Sequence, residues 1–173
     1  MKNFAITIVS IALLLVGSVA HAAKQPKSPE FKVENELFVF ERIAPVELSK
    51  NEIITQAAAF IAAKFVSAES VIQLQDAELG RIVGDVVLHD RDARMLAAFK
   101  GIKARITIDA KDGRYRLQAT HIVGIDGNGR VSPWGEVESA NQYRVEPLAA
   151  KLLVAFEQDL TSHLKNAKAS AEW

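Results

Sequence analysis

Few side chains in this 173-residue chain are equipped for chemistry, and their spacing limits what that chemistry is. Histidines stand at His21, His89, His121 and His163, and there is no cysteine. A zinc ion takes three or four nitrogen, sulfur or carboxylate ligands, typically at short repeated spacings, and no two of these histidines are so placed. Asp126-Gly127-Asn128-Gly129 offers two oxygen ligands two residues apart, as calcium loops do. It lacks the later ligands and the closing glutamate of an EF-hand, so it reads as a tight turn. No nucleophile elbow, phosphate-binding glycine loop or dinucleotide fingerprint is present. The residues therefore imply no cofactor and no metal. One catalytic arrangement is worth weighing, a hydrolase using His121 with Asp109 or Glu136. The strand alternation derived below opposes it, because it sets Asp109 and His121 on opposite faces.

A denser signal is cationic. Lys103, Arg105, Lys111, Arg114 and Arg116 lie close together in sequence, with Asp109 alone opposing them on the face they share. Such a cluster either keeps a wet surface soluble or receives an anion. Lys103, Arg105, Arg114 and Arg116 are therefore candidate ligand contacts, joined by Trp134 in a later glycine-rich loop, whose indole is otherwise a cover for the core. The whole chain carries 21 basic and 21 acidic residues. Bulk attraction to nucleic acid or to an anionic membrane is not implied.

These residues must be positioned by the stretch from Ile102 to Val123. Apolar side chains alternate at Ile102, Ala104, Ile106, Ile108 and Ala110, then at Tyr115, Leu117, Ala119, His121 and Val123. Period two predicts strands, and Asp112-Gly113 between them predicts a type I′ hairpin turn with both central residues at positive φ. Counting back from the turn pairs Ala110 with Tyr115, Ile108 with Leu117, Ile106 with Ala119, Ala104 with His121 and Ile102 with Val123. The other face pairs Asp109 with Arg116, Thr107 with Gln118, Arg105 with Thr120 and Lys103 with Ile122. A slip of one residue would invert both faces.

Around this hairpin, Leu37 to Ile43 predicts a first strand. Ser49 and Glu52 form a capping box, opening a helix whose stripe is Ile53, Ala57, Phe60, Ile61 and Phe65. Val71–Gln75 and Arg81–Leu88 predict a second hairpin, turned by Asp76 and Gly80, and Gly84 within it marks a bulge or a pressed backbone. His89 to Lys100 reads as a connecting loop and 124–146 as a long one. Pro147 suits the first turn of a last helix with Leu148, Leu152, Phe156, Leu160 and Leu164 on one stripe. The prediction is an α+β two-layer sandwich, an antiparallel five-stranded sheet with two helices on one face, in the order β-α-β-β-β-β-α. The opposite face of the sheet stays wet.

The first 22 residues read as a signal peptide, with Lys2, an apolar run from Phe4 to Val16, and Ala20-His21-Ala22 as the cleavage site. Cleavage after Ala22 predicts a periplasmic or secreted protein; an uncleaved anchor is the alternative. Without cysteine there is no lipid-bearing cysteine and no disulfide, so stability rests on packing. Residues 23–36 read as a flexible leader, 37–168 as one domain and 169–173 as a tail.

Val71-Ile72-Gln73, Asp76, Gly80-Arg81-Ile82-Val83-Gly84 and Lys111-Asp112-Gly113-Arg114-Tyr115-Arg116 together resemble a bacterial envelope family of unknown function with a TATA-binding-protein-like (TBP-like) fold. The likeness covers about residues 37 to 125; Ile54 and Phe60 depart from it, standing where Tyr and Trp are expected. The resemblance implies the same fold and an exported location, and it brings no catalytic residues. TATA-box binding does not follow, since fold does not carry function. The expectation is a non-enzymatic binding module whose basic sheet face meets an anionic envelope ligand or a protein partner, with no nucleic acid and no stable membrane insertion after signal cleavage. Assembly through a sheet edge or the last helix is the alternative.

Overall fold

A computed structural model describes residues 25–65, 71–93, 97–137 and 142–171. The expected signal peptide and cleavage site lie outside the described residues. Strands β1 (Phe31–Glu34) and β2 (Leu37–Pro45) precede helix α1 (Lys50–Lys64), and β3 (Ile72–Asp76), β4 (Arg81–His89), β5 (Gly101–Lys111), β6 (Arg114–Ile125) and β7 (Val131–Glu136) precede helix α2 (Gln142–Ala171). All pairs are antiparallel, in the order β1-β2-β6-β5-β4-β3, with β7 beside β6 where β2 has ended. Both helices cover one face. α1 lies over β3, β4 and β5, and α2 over β2, β5, β6 and β7. Between helices and sheet, Phe40, Ile53, Ile61, Ile82, Val86, Ile102, Ile106, Ile108, Leu117, Ala119 and Leu160 are fully buried.

The sheet has seven strands among the described residues rather than five. β1 lies in what composition reads as flexible leader, and it pairs with β2 through Asn35 and Glu36, both at positive φ (50° and 66°), the geometry of a type I′ turn without its usual glycine. β7 lies in what reads as loop. Its Pro133 is compatible with a peripheral strand that meets β6 only at Val123 and Ile125. α2 starts at Gln142, so Pro147 sits in its second turn instead of opening it. Its stripe also turns. Phe156, Leu160 and Leu164 are buried, but further back burial passes to Leu153, Ala149 and Val145, while Leu148 and Leu152 are only partly covered. A spacing of four residues drifts by about 40° per step on a 3.6-residue helix, so a straight apolar face must step back by three at intervals.

The capping box forms, with the Glu52 carboxylate 2.8 Å from the Ser49 amide it accepts from. The hairpin end differs from expectation. Gly113 takes φ +80° but Asp112 does not reach positive φ, so the turn is not type I′. Asp112 instead accepts the Lys50 amide (2.7 Å), and the Gly113 amide donates to the Leu48 carbonyl (3.0 Å), so the loop before α1 holds the turn from outside. The register from Lys111↔Arg114 to Arg105↔Thr120 is the one the alternation predicts.

Beyond Thr120 it fails, and the reason is one extra residue. Pairing resumes as Lys103↔Val123 and Ile102↔Gly124, leaving His121 and Ile122 opposite Ala104. His121 adopts φ +50° and turns out to solvent, while Ile122 is fully buried. The expected place of His121 on the apolar face is thereby corrected: the bulge takes up one residue and passes the inward position to Ile122. Left-handed backbone costs a non-glycine residue about 1–2 kcal/mol. His121→Gly is thus expected to stabilise the domain by about 0.5–1 kcal/mol, after the entropic cost of glycine in the unfolded chain, and His121→Val to destabilise it by about 1–2 kcal/mol, read from denaturant midpoints.

The segment before β1 is tied to α2. Glu146, 1 % exposed, accepts the Ser28 amide and the side-chain amide of Gln142 (2.7 Å), which also donates to the Gln25 carbonyl (2.9 Å). A buried carboxylate without a counter-ion survives only if donors satisfy it. Glu146→Ala is therefore expected to free this strap, seen as faster tryptic cleavage after Lys27 at an unchanged rate of global unfolding.

Candidate functional site

On the uncovered face the strands bring together charges from separate parts of the sequence. Asp85 of β4 accepts Arg105 at 2.9 Å and stands 3.9 Å from Lys103, and Gln73 of β3 donates to it at 3.0 Å. Asp109 of β5 accepts Arg81 at 2.5 Å and Arg116 at 2.6 Å. Glu41 of β2 accepts Lys32 (2.7 Å) and Gln118 (2.7 Å), with Arg116 3.7 Å away. The face is thus a mosaic of paired charges, not a basic surface opposed by Asp109 alone. The hairpin alternation finds the cations, but their partners come from strands whose neighbours are set by topology.

The pairing shows in the carboxylates. The Lys32 hydrogen bond holds Glu41 below its ordinary range, and the Arg105 hydrogen bond does the same for Asp85. Burial works to raise Asp109, but hydrogen bonds from Arg81 and Arg116 outweigh it and leave it lowered. A carboxyl depressed in the folded state contributes stability that is present above its unfolded pKa, about 4, and is lost as pH falls through the folded value. Stability is expected to be flat from about pH 7 to 5 and to decline below about pH 4, with 1 M salt lessening the decline, as followed by urea midpoints. The partners are 40–46 % exposed, so each pair contributes little by itself.

Two of the predicted cations escape this pairing. Lys111 and Arg114 make no ion pair among the described residues, and both are exposed at the hairpin end. With Arg116, Asp109, Tyr115 and Ile43 they line a hollow of about 270 Å³. Ile43, opposite Arg116 on β2, is 63 % exposed. Behind the hollow Tyr115 is anchored inward: its hydroxyl donates to Glu157 (2.8 Å) and lies 2.5 Å from the Thr161 hydroxyl, and burial pushes its pKa up. That anchor fixes the backbone of β6 beside the cationic rim to α2.

The other candidates do not converge there. Trp134 belongs to β7, but its side chain lies outside what the structure describes. His121 contacts the Thr120 hydroxyl at 3.1 Å, and Asp109 is committed to Arg81 and Arg116 five residues away along β6. Glu136 stands opposite Val123 on β7. Among the described residues no three His, Cys, Asp or Glu side chains gather as metal ligands, and no helix is long and apolar enough to cross a membrane.

This antiparallel sheet with two helices on one face is a TBP-like α+β fold. Residues 40–123 match the family described as a domain of unknown function (DUF4468) with TBP-like fold. A DUF4468 family protein from Bacteroides ovatus has a similar structure, with 16% identity and a TM-score of 0.51 over 78% of this chain and 88% of that one. A TBP-like protein from Parabacteroides distasonis shows 19% identity and a TM-score of 0.50 over 79% of this chain and 95% of that one. At such identities the likeness speaks for the fold alone. No curated protein matches the chain.

Proposed function

We propose that this is an exported, non-enzymatic binding domain that receives an anionic ligand or partner at the hairpin-end hollow. The observation that carries this reading is the unpaired state of Lys111 and Arg114, beside a face where the other predicted cations, Lys103, Arg105 and Arg116, are already matched by acids. Unmatched charge next to an exposed apolar side chain is free to pair with a complementary group and steers its approach. Export is supported by the leader composition of residues 1–22.

Titration with short polyglutamate at low salt is expected to show binding that weakens steeply with ionic strength. Lys111→Glu with Arg114→Glu should reduce it about thirtyfold or more. Arg105→Gln should leave it nearly unchanged, because Arg105 is spent on Asp85. Equal binding by the double variant and the wild type would refute the reading.

A second reading is self-association through the outer edge of β3, where Leu74 is 47 % exposed and the strand from Ile72 to Gln75 carries no charge or proline. Light scattering over a dilution series tests it; a monomer at every concentration removes it.

A further inference from the structure

Resting on the reading above, we propose that the hollow takes an acidic peptide segment carrying an apolar side chain beside its carboxylate, approached from the end of the domain away from the N-terminal strap. Three features point to this partner. The hollow sets two kinds of chemistry side by side, the free cations Lys111 and Arg114 and the 63 % exposed Ile43. A bare phosphate would use only the first. An acid next to an aliphatic or aromatic residue uses both, as acidic motifs do on basic clusters. The volume, about 270 Å³, suits one or two side chains and not a larger ligand.

The second feature is the wall. Asp109 lines the hollow and Glu41 stands beside Arg116, so a continuous polyanion such as a sulfated glycan must run past two carboxylates. A single acid need only reach Lys111 and Arg114. The third is position. Glu146 and Gln142 hold the strap Gln25–Ser28 against the start of α2. Leu164, which shares a surface hollow with Gly113 at the hairpin end, lies about 27 Å further along the helix. The hollow thus lies at the end of the domain opposite the strap.

The test uses two synthetic peptides of equal charge, one with leucine among glutamates and one with serine in its place, against the full chain after removal of residues 1–22. The leucine peptide is expected to bind about tenfold more tightly, and Ile43→Ser to erase that difference while leaving the serine peptide unaffected. Tethering the domain to phosphatidylglycerol vesicles through an N-terminal tag should leave peptide affinity unchanged. Equal affinity for the two peptides, competition by inorganic phosphate or by free vesicles as effective as the peptide, or loss of binding on tethering would each overturn the proposal, although anion binding itself would stand. If Lys111→Glu with Arg114→Glu leaves both peptides bound as before, the anion reading falls with it.

Discussion

Replacing Phe156 with alanine is expected to cost the domain about 3–5 kcal/mol, a large share of the roughly 5–15 kcal/mol that holds a domain of this size together. Phe156 is 1 % exposed and meets Phe60 of α1 edge to face at 5.4 Å and Phe65 at 6.4 Å. The Lys64 ammonium stands 5.8 Å above its ring while pairing with Asp159 of α2. This ring thus sits where the two helices meet above the sheet. Truncation leaves a cavity between elements already held by the sheet, so they cannot close over it. Urea denaturation should show a lowered midpoint at an unchanged slope. A loss under about 1 kcal/mol would mean that the helices are fixed by the sheet alone.

Gly84→Val is the second large effect, expected at about 2–3 kcal/mol. A β-carbon at Gly84 would overlap the Val71 carbonyl oxygen and stand 3.1 Å from the Val71 carbonyl carbon. Both are backbone atoms held by the bulge that shifts β3 between Ile72 and Leu74, so the strand must move as a whole. Amide exchange should reveal it locally, with β3 losing protection while the β5–β6 pair keeps it. Uniform loss of protection would show that β3 cannot detach separately.

Gly84 also illustrates what was legible in the letters. A glycine inside a strand predicted a bulge or a pressed backbone, and the structure has the bulge on the strand beside it. The central register was readable down to Arg105↔Thr120 because alternation and the turn agreed. His121 was the one polar residue in an apolar series, and that mismatch was the trace of the bulge, since Ile122 fits the inward position it vacates. β1 and β7 were hidden because short peripheral strands need neither alternation nor turn glycines once a neighbour supplies hydrogen bonds. The cations of the hairpin were legible. Their neutralisation was not, because Asp85 meets Arg105 only after β4 is laid against β5, and Glu41 meets Arg116 only after β2 is laid against β6. Subtracting those pairs leaves Lys111 and Arg114, a distinction that spacing cannot make.

The strap on Glu146 also determines how the domain can be rewired. Gln25 lies beside the first turn of α2, and the 30-residue helix carries Ala171 to the far pole, about 45 Å away. Joining these ends in a circular permutant would need a connector of at least about 13 extended residues. In copies fused head to tail, each junction would join the hairpin end of one repeat to the strap end of the next.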